Sequence, residues 1–238
     1  MVPKPVTLIC LPYAGGSSYA FGPLLPLFDP AIRPFCPELP GRGRRTAEPC
    51  MFFADQLVTD ILASCRHLLQ TPYMIYGHSM GALLGYLLAK RIAGAGLPQP
   101  FHLIFTGRAG PSAPRRGELR YRQPTVDFYN TLRKMGGVSE DLLRNRDYME
   151  FFEPVLRADF QLVETWEWAP SPRLKIPITI ITGSEEDITP EDACCWTSES
   201  TAPVEIITFP GNHFFIYPNA GALCHKINLL SKNNNPRL

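Results

Sequence analysis

A chain of 238 residues with 23 basic and 22 acidic side chains has the length of one large domain, which buries enough apolar surface to fold without disulfides or metals. A net charge of +1 with evenly mixed signs leaves no polybasic face for nucleic acid and no acidic tail. The seven cysteines, at 10, 36, 50, 65, 194, 195 and 224, are odd in number and show no CxxC or His/Cys ligand spacing. They read as small core hydrophobes of a reducing, cytoplasmic compartment, with no metal or cofactor implied.

The opening "MVPKPVTLICLPYAGG" has one lysine and a brief apolar run before a glycine pair, so it reads as a first strand and not as a signal peptide. Further strands are expected at 31–36, 73–76, 101–106, 178–182 and 204–209, after the first at 6–11. Most are nearly continuous apolar runs, as in parallel strands covered on both faces. Helices are expected at 52–69, 79–93, 190–199 and 219–230. Thr189-Pro190-Glu191-Asp192 supplies an N-cap, a first-turn proline and early acids for the third. The apolar stretch at 83–89 is too short to span a bilayer. The alternation predicts an α/β fold, a mostly parallel doubly wound sheet. It breaks between about 110 and 172, where only helical signals appear: a stop at Gly136-Gly137, a start at Ser139, and a long helix over 147–167. We therefore expect a core of 1–109 and 173–238 with a helical lid inserted at 110–172. The alternative is helices packed directly on the sheet. The tail at 231–238 is expected to fray.

Gly77-His78-Ser79-Met80-Gly81 matches GxSxG between an apolar strand and an amphipathic helix, where the motif forces its serine into a strained turn above the sheet edge. The helix N-terminus places the Met80 amide where an oxyanion would form. Serine needs a base and an orienting acid, in the chain order serine, acid, histidine on such sheets. Of five histidines, His213 alone lies on a glycine-bearing loop past the last strand. "TGSEEDITP" offers Glu185, Glu186 and Asp187, with Asp192 beyond; Asp187 is the expected acid. The bland alternatives are a helix N-cap for Ser79, a helix-terminal charge for Asp187 and a satisfied loop histidine for His213. "LPYAGGSS" after the first strand offers a second oxyanion amide near Tyr13 and Ala14, or else a plain turn.

The stretches "CLPYAGGSS" at 10–18, "ELPGRGRR" at 38–45, "YGHSMGALLGYLLAKR" at 76–91, "TGRAGPS" at 106–112, "PVLRADFQLVETW" at 154–166 and "FPGNHFF" at 209–215 span nearly the whole chain. It resembles the stand-alone type II thioesterases of polyketide and nonribosomal peptide synthesis. The resemblance implies an α/β-hydrolase fold with a helical lid, and hydrolysis of acyl groups held as thioesters on the phosphopantetheine arm of carrier proteins. It carries the nucleophile onto Ser79, the base onto His213 and the acid onto Asp187, with the Met80 and Ala14 amides as oxyanion donors. Two positions depart from the pattern. Asn212 stands where a second glycine is usual, and Ile188 follows the acid where proline is common. Lid residues Phe151, Phe152, Leu156 and Phe160 would wall the acyl chain, or equally pack the lid core. Arg42, Arg44 and Arg45 would meet the pantetheine phosphate, or else form a solvated turn. The expected partners are acyl and peptidyl carrier proteins, bound by a monomer; no nucleic acid or membrane is expected. Three rival readings share much of this pattern: a free-standing carboxylesterase or lipase, an acyltransferase, and a non-catalytic binding module.

Overall fold

The computed structural model describes residues 5–233. Six strands, β1 (Val6–Leu11), β2 (Ile32–Phe35), β3 (Tyr73–His78), β4 (His102–Thr106), β5 (Ile178–Gly183) and β6 (Val204–Phe209), form one sheet in the order β2-β1-β3-β4-β5-β6. Every pairing is parallel. Strand periodicity of two sends alternate residues to opposite faces. Ile9, Leu11, Ile75, Leu103, Phe105 and Ile180 enter one core cluster, whereas Leu8, Cys10, Met74, Tyr76, Ile104 and Ile181 enter the other. Covering both faces is what makes these strands read as unbroken apolar runs. Pro34 sits in β2, an edge strand, where its missing N–H costs no interior ladder bond.

On the first face lie α1 (Ala54–Cys65) and α2 (Met80–Gly94); Leu57, Val58 and Ile61 of the one and Leu84, Leu88 and Ile92 of the other share the cluster with the strands. On the second lie the 3-10 turn Gly22–Leu27 and the last helix, whose Leu223, Ile227 and Leu230 are buried with Leu24. Between β4 and β5 come a 3-10 turn at Arg120–Arg122 and three helices, α3 (Thr125–Met135), α4 (Glu140–Arg144) and α5 (Arg146–Thr165). Gly136 ends α3 in the left-handed region at φ 78°, and the Ser139 side chain accepts the Leu142 N–H to start α4. These helices have their own small core of Phe128, Leu132, Leu143, Met149, Leu156 and Phe160. The sheet then continues through α6 (Pro190–Cys194), opened by a capping box of Thr189 and Asp192, to β6 and α7 (Ala220–Asn233).

The expected helices at 52–69 and 190–199 are each shorter than their apolar pattern. The first ends at Cys65 and tightens into a 3-10 turn over Arg66–Leu68; the second ends at Cys194 and tightens over Cys195–Ser198. The last helix runs to Asn233, three residues past its expected end, so the expected frayed tail lies mostly outside the described residues. Cys10, Cys65 and Cys224 are buried as expected, but Cys194 is exposed, and none of the seven is in a disulfide. Among the described residues no helix is long and apolar enough to cross a membrane.

Candidate active site

Strand order reverses at β1, which has β2 on one side and β3 on the other, and in open parallel sheets the crevice outside the carboxyl ends at such a point is where ligands bind. The turn from β3 into α2 delivers Ser79 there. Its backbone is at φ 56°, ψ −112°, and among the described residues it is the one non-glycine with positive φ, a strained conformation. The flanking glycines follow from the same bend. A Cβ on Gly77 would overlap the Gly81 carbonyl, and one on Gly81 would overlap the Leu11 carbonyl. Although Ser79 occupies the N-cap position of α2, its side chain makes no capping bond.

The Ser79 Oγ lies 2.9 Å from Nε2 of His213, and Nδ1 of that imidazole lies 2.6 Å from Oε1 of Glu186. A carboxylate only accepts, so Nδ1 carries the proton and Nε2 is left to accept the serine O–H. The second oxygen of Glu186 accepts the Gly183 N–H at 2.7 Å, and its side chain is only 3% exposed. The structure thus brings Glu186, and not Asp187, against the imidazole. The turn after β5 closes with Glu186 N–H donating to the Gly183 carbonyl, which folds residue 186 back over the strand end and leaves Asp187 exposed to solvent. The histidine loop is tied to this turn, because Glu185 N–H donates to the Gly211 carbonyl and Gly211 N–H to the Ser184 hydroxyl.

Behind the site is a residue that sequence reasoning treated only as part of the elbow. His78 is fully buried, its ring centroid is 5.0 Å from that of His213, and its Nδ1 meets Thr106 Oγ1 at 2.9 Å. Burial, and then the neighbouring His213, push its pKa well below the usual value, so it is neutral. Gly107 makes room for this arrangement: a Cβ there would lie 2.6 Å from the His78 ring and 3.3 Å from Glu186, and its φ is +64°. The signal was the glycine in "TGRAGPS".

Met80 opens α2, so its N–H has no partner one turn back, and the loop after β1 brings Tyr13 and Ala14 to the same cleft as Ser79 and His213. Gly16 N–H closes a turn onto the Tyr13 carbonyl at 2.8 Å, and Gly15 N–H donates to Asp159 of α5 at 2.7 Å. The Tyr13 hydroxyl is fixed by Tyr217, 2.8 Å away. The cleft encloses about 580 Å³. Phe152, Leu156 and Phe160 line it on successive turns of α5, and Phe151 lines it at the rim with 62% of its surface exposed.

A nucleophile elbow, a histidine in reach of it and an apolar cleft above the sheet occur in many hydrolases, and whole-chain similarity narrows the choice. Residues 6–230 match the family model described as "Thioesterase domain". The chain belongs to the thioesterase family. This thioesterase is 31% identical over 211 residues to the gramicidin S biosynthesis protein GrsT of Aneurinibacillus migulanus, covering 88% of this chain and 82% of that one. It is 28% identical over 225 residues to the thioesterase PikA5 of Streptomyces venezuelae, covering 93% and 79%. Among solved structures it is similar to BorB, described as the type II thioesterase from the borrelidin biosynthetic cluster, at 30% identity with a TM-score of 0.86, covering 94% and 92%.

Of the three arginines weighed as phosphate contacts or else as a solvated turn, two are paired with carboxylates in this thioesterase. Arg42 is buried and bidentate on Asp159, and Arg45 is bidentate on both Glu48 and Asp60, which leaves only the exposed Arg44 facing solvent. Among the described residues no group of three or more His, Cys, Asp or Glu is arranged to hold a metal ion.

Proposed function

We propose that this thioesterase hydrolyses acyl groups from the phosphopantetheine arm of carrier proteins, clearing stalled or aberrant units from a polyketide or nonribosomal peptide assembly line. The observation that carries the reading is the hydrogen-bonded chain Ser79–His213–Glu186 at the floor of an apolar cleft. His213 takes the Ser79 proton as the serine oxygen bonds to the thioester carbonyl carbon. The Met80 amide and the Ala14 amide hold the oxyanion of the tetrahedral intermediate. Collapse breaks the carbon–sulfur bond and releases the pantetheine thiolate, which takes the proton held by His213 and leaves the imidazole neutral. Water, deprotonated by His213, then frees the acid and restores the serine. Glu186 holds the imidazole in the tautomer this sequence needs and balances the charge it acquires. Helices α3, α4 and α5 act as the lid, with Phe152 and Leu156 walling the acyl chain.

The test is a comparison of steady-state rates on acylated carrier proteins, the same acyl groups on coenzyme A, and simple oxyesters. The expected result is a higher kcat/KM for the carrier-bound thioesters. Preference for small oxyesters instead identifies a general carboxylesterase, and transfer to an added acceptor in place of hydrolysis identifies an acyltransferase.

A further inference from the structure

Asp159 and Arg42 are buried charges that the mechanism above does not use. Their side chains are 1% and 7% exposed, and they meet as a fork, with Arg42 Nη1 2.5 Å from Oδ2 and Nη2 2.7 Å from Oδ1. Burial opposes the charge on Arg42, and the negative groups around it, Asp159 foremost, offset that cost, so the guanidinium pKa is raised. The pair joins three segments. Asp159 comes from α5 and Arg42 from the loop after β2, and both bind the glycine pair after β1. Asp159 Oδ2 accepts the Gly15 N–H at 2.7 Å, and Arg42 Nη1 also donates to the Gly16 carbonyl at 3.3 Å.

Gly15 has φ +79°, and two successive glycines have the widest backbone freedom a chain offers. Left to itself this loop would sample many orientations of its amides. The Gly15 N–H is taken by Asp159 and the Gly16 N–H by Tyr13. The Tyr13 and Ala14 amides have no acceptor among the described residues, on a loop lining the cleft beside Ser79. We infer that Asp159 is a positioning residue for the oxyanion hole: it fixes the amide of Gly15 and so aims the amide of Ala14, while Arg42 pairs with its carboxylate. Through Asp159, the seating of α5 and the geometry of the reaction centre are one structural variable. The inference rests on the serine mechanism proposed above.

Two double variants separate positioning from packing. Arg42→Met with Asp159→Asn removes both charges but keeps an oxygen that accepts from Gly15 N–H. Arg42→Met with Asp159→Leu removes the charges and the acceptor at similar volume, leaving no unpaired ion in either case. The assay is hydrolysis of a p-nitrophenyl acyl ester, which any serine hydrolase of this design turns over. A failure of the carrier-protein reading therefore shows separately, as ester turnover without carrier preference. The asparagine pair is expected to keep kcat within about threefold. The leucine pair is expected to lose on the order of 10² in kcat with KM little changed, because the oxyanion exists only beyond the ground state. Where the leucine pair does not fold, Arg42→Met with Asp159→Ser, whose side chain is too short to reach Gly15, is measured the same way and should show the same loss. Equal kcat in the variants with and without the acceptor, or a loss carried by KM, overturns the inference.

Discussion

Glutamate carries one methylene more than aspartate, and at the end of β5 that length is what bridges the backbone turn and the imidazole. Glu186 binds Gly183 N–H with one oxygen and His213 Nδ1 with the other, while Asp187 one residue on faces water. Replacing Glu186 with glutamine removes the charge that holds the tautomer, so turnover should fall by roughly 10⁴, while Asp187→Asn stays within a few fold. Single-turnover rates on one acyl substrate decide it, and the reverse ranking would return the acid to Asp187. Ser79→Ala and His213→Ala should each cost on the order of 10⁶ in turnover, and the double variant little more, because the groups act as a unit. Multiplying effects would break that picture. Ser79 and His213 were legible in the sequence because each has a local signature, a glycine-flanked elbow and a glycine-bearing loop past the last strand. The carboxylate partner of His213 was not, because "SEEDITPED" offers five carboxylates within eight residues and the choice depends on which way one turn folds back. The departure at Ile188 marked the place where the family's spacing ceased to be a guide.

At the scale of elements, α5 serves two neighbourhoods. Its Leu162 is buried in the core shared with the sheet, whereas Leu156 and Phe160 belong to the core of the inserted helices and line the cleft. Phe152 and Phe160 therefore make different predictions, although for both the expectation was the same, an acyl wall or equally the packing of the lid core. Phe160 is 5% exposed, packs edge-on against Phe128 at 5.4 Å between ring centroids and lies under the Arg120 guanidinium. Phe160→Ala should cost about 3–5 kcal/mol of unfolding free energy, as truncations of buried phenylalanines do. Phe152 is half-buried against Tyr148, so Phe152→Ala should shift the preferred acyl length with a much smaller change in stability. Unfolding midpoints and acyl-length profiles on both variants test this; an unchanged profile for Phe152→Ala removes it from the acyl wall. The six strands were readable because both faces are covered and the runs are apolar throughout. The 3-10 turns were not, because segments such as Gly22–Leu27, with two prolines, carry no helical period.

For the whole molecule, acid should be a weak point. His102 on β4 is buried with Nε2 2.9 Å from Thr179 Oγ1, and burial pushes its pKa down to about 4. His78 is pushed in the same direction. The unfolded chain binds a proton on each near pH 6.5, while the folded chain does not until much lower pH. The stability contributed by the neutral forms is thus complete above about 6.5 and is lost as pH falls toward 4. Between pH 7 and pH 5 the unfolding free energy should fall by roughly 1–2 kcal/mol from His102 alone, and His102→Gln should flatten that slope whatever its own stability. Urea titrations of both proteins at the two pH values measure it, and equal slopes would exclude His102 as a source. The separateness of the small core under α3, α4 and α5 has a consequence as well. Leu132, Leu156 and Phe160 of that cluster line the cleft, yet they are buried there and not within either sheet core. Conservative substitutions that keep that cluster packed can therefore reshape the cleft without disturbing either core of the sheet. Asp159 is where that freedom ends: any drift that moves α5 must still return its carboxylate to Gly15.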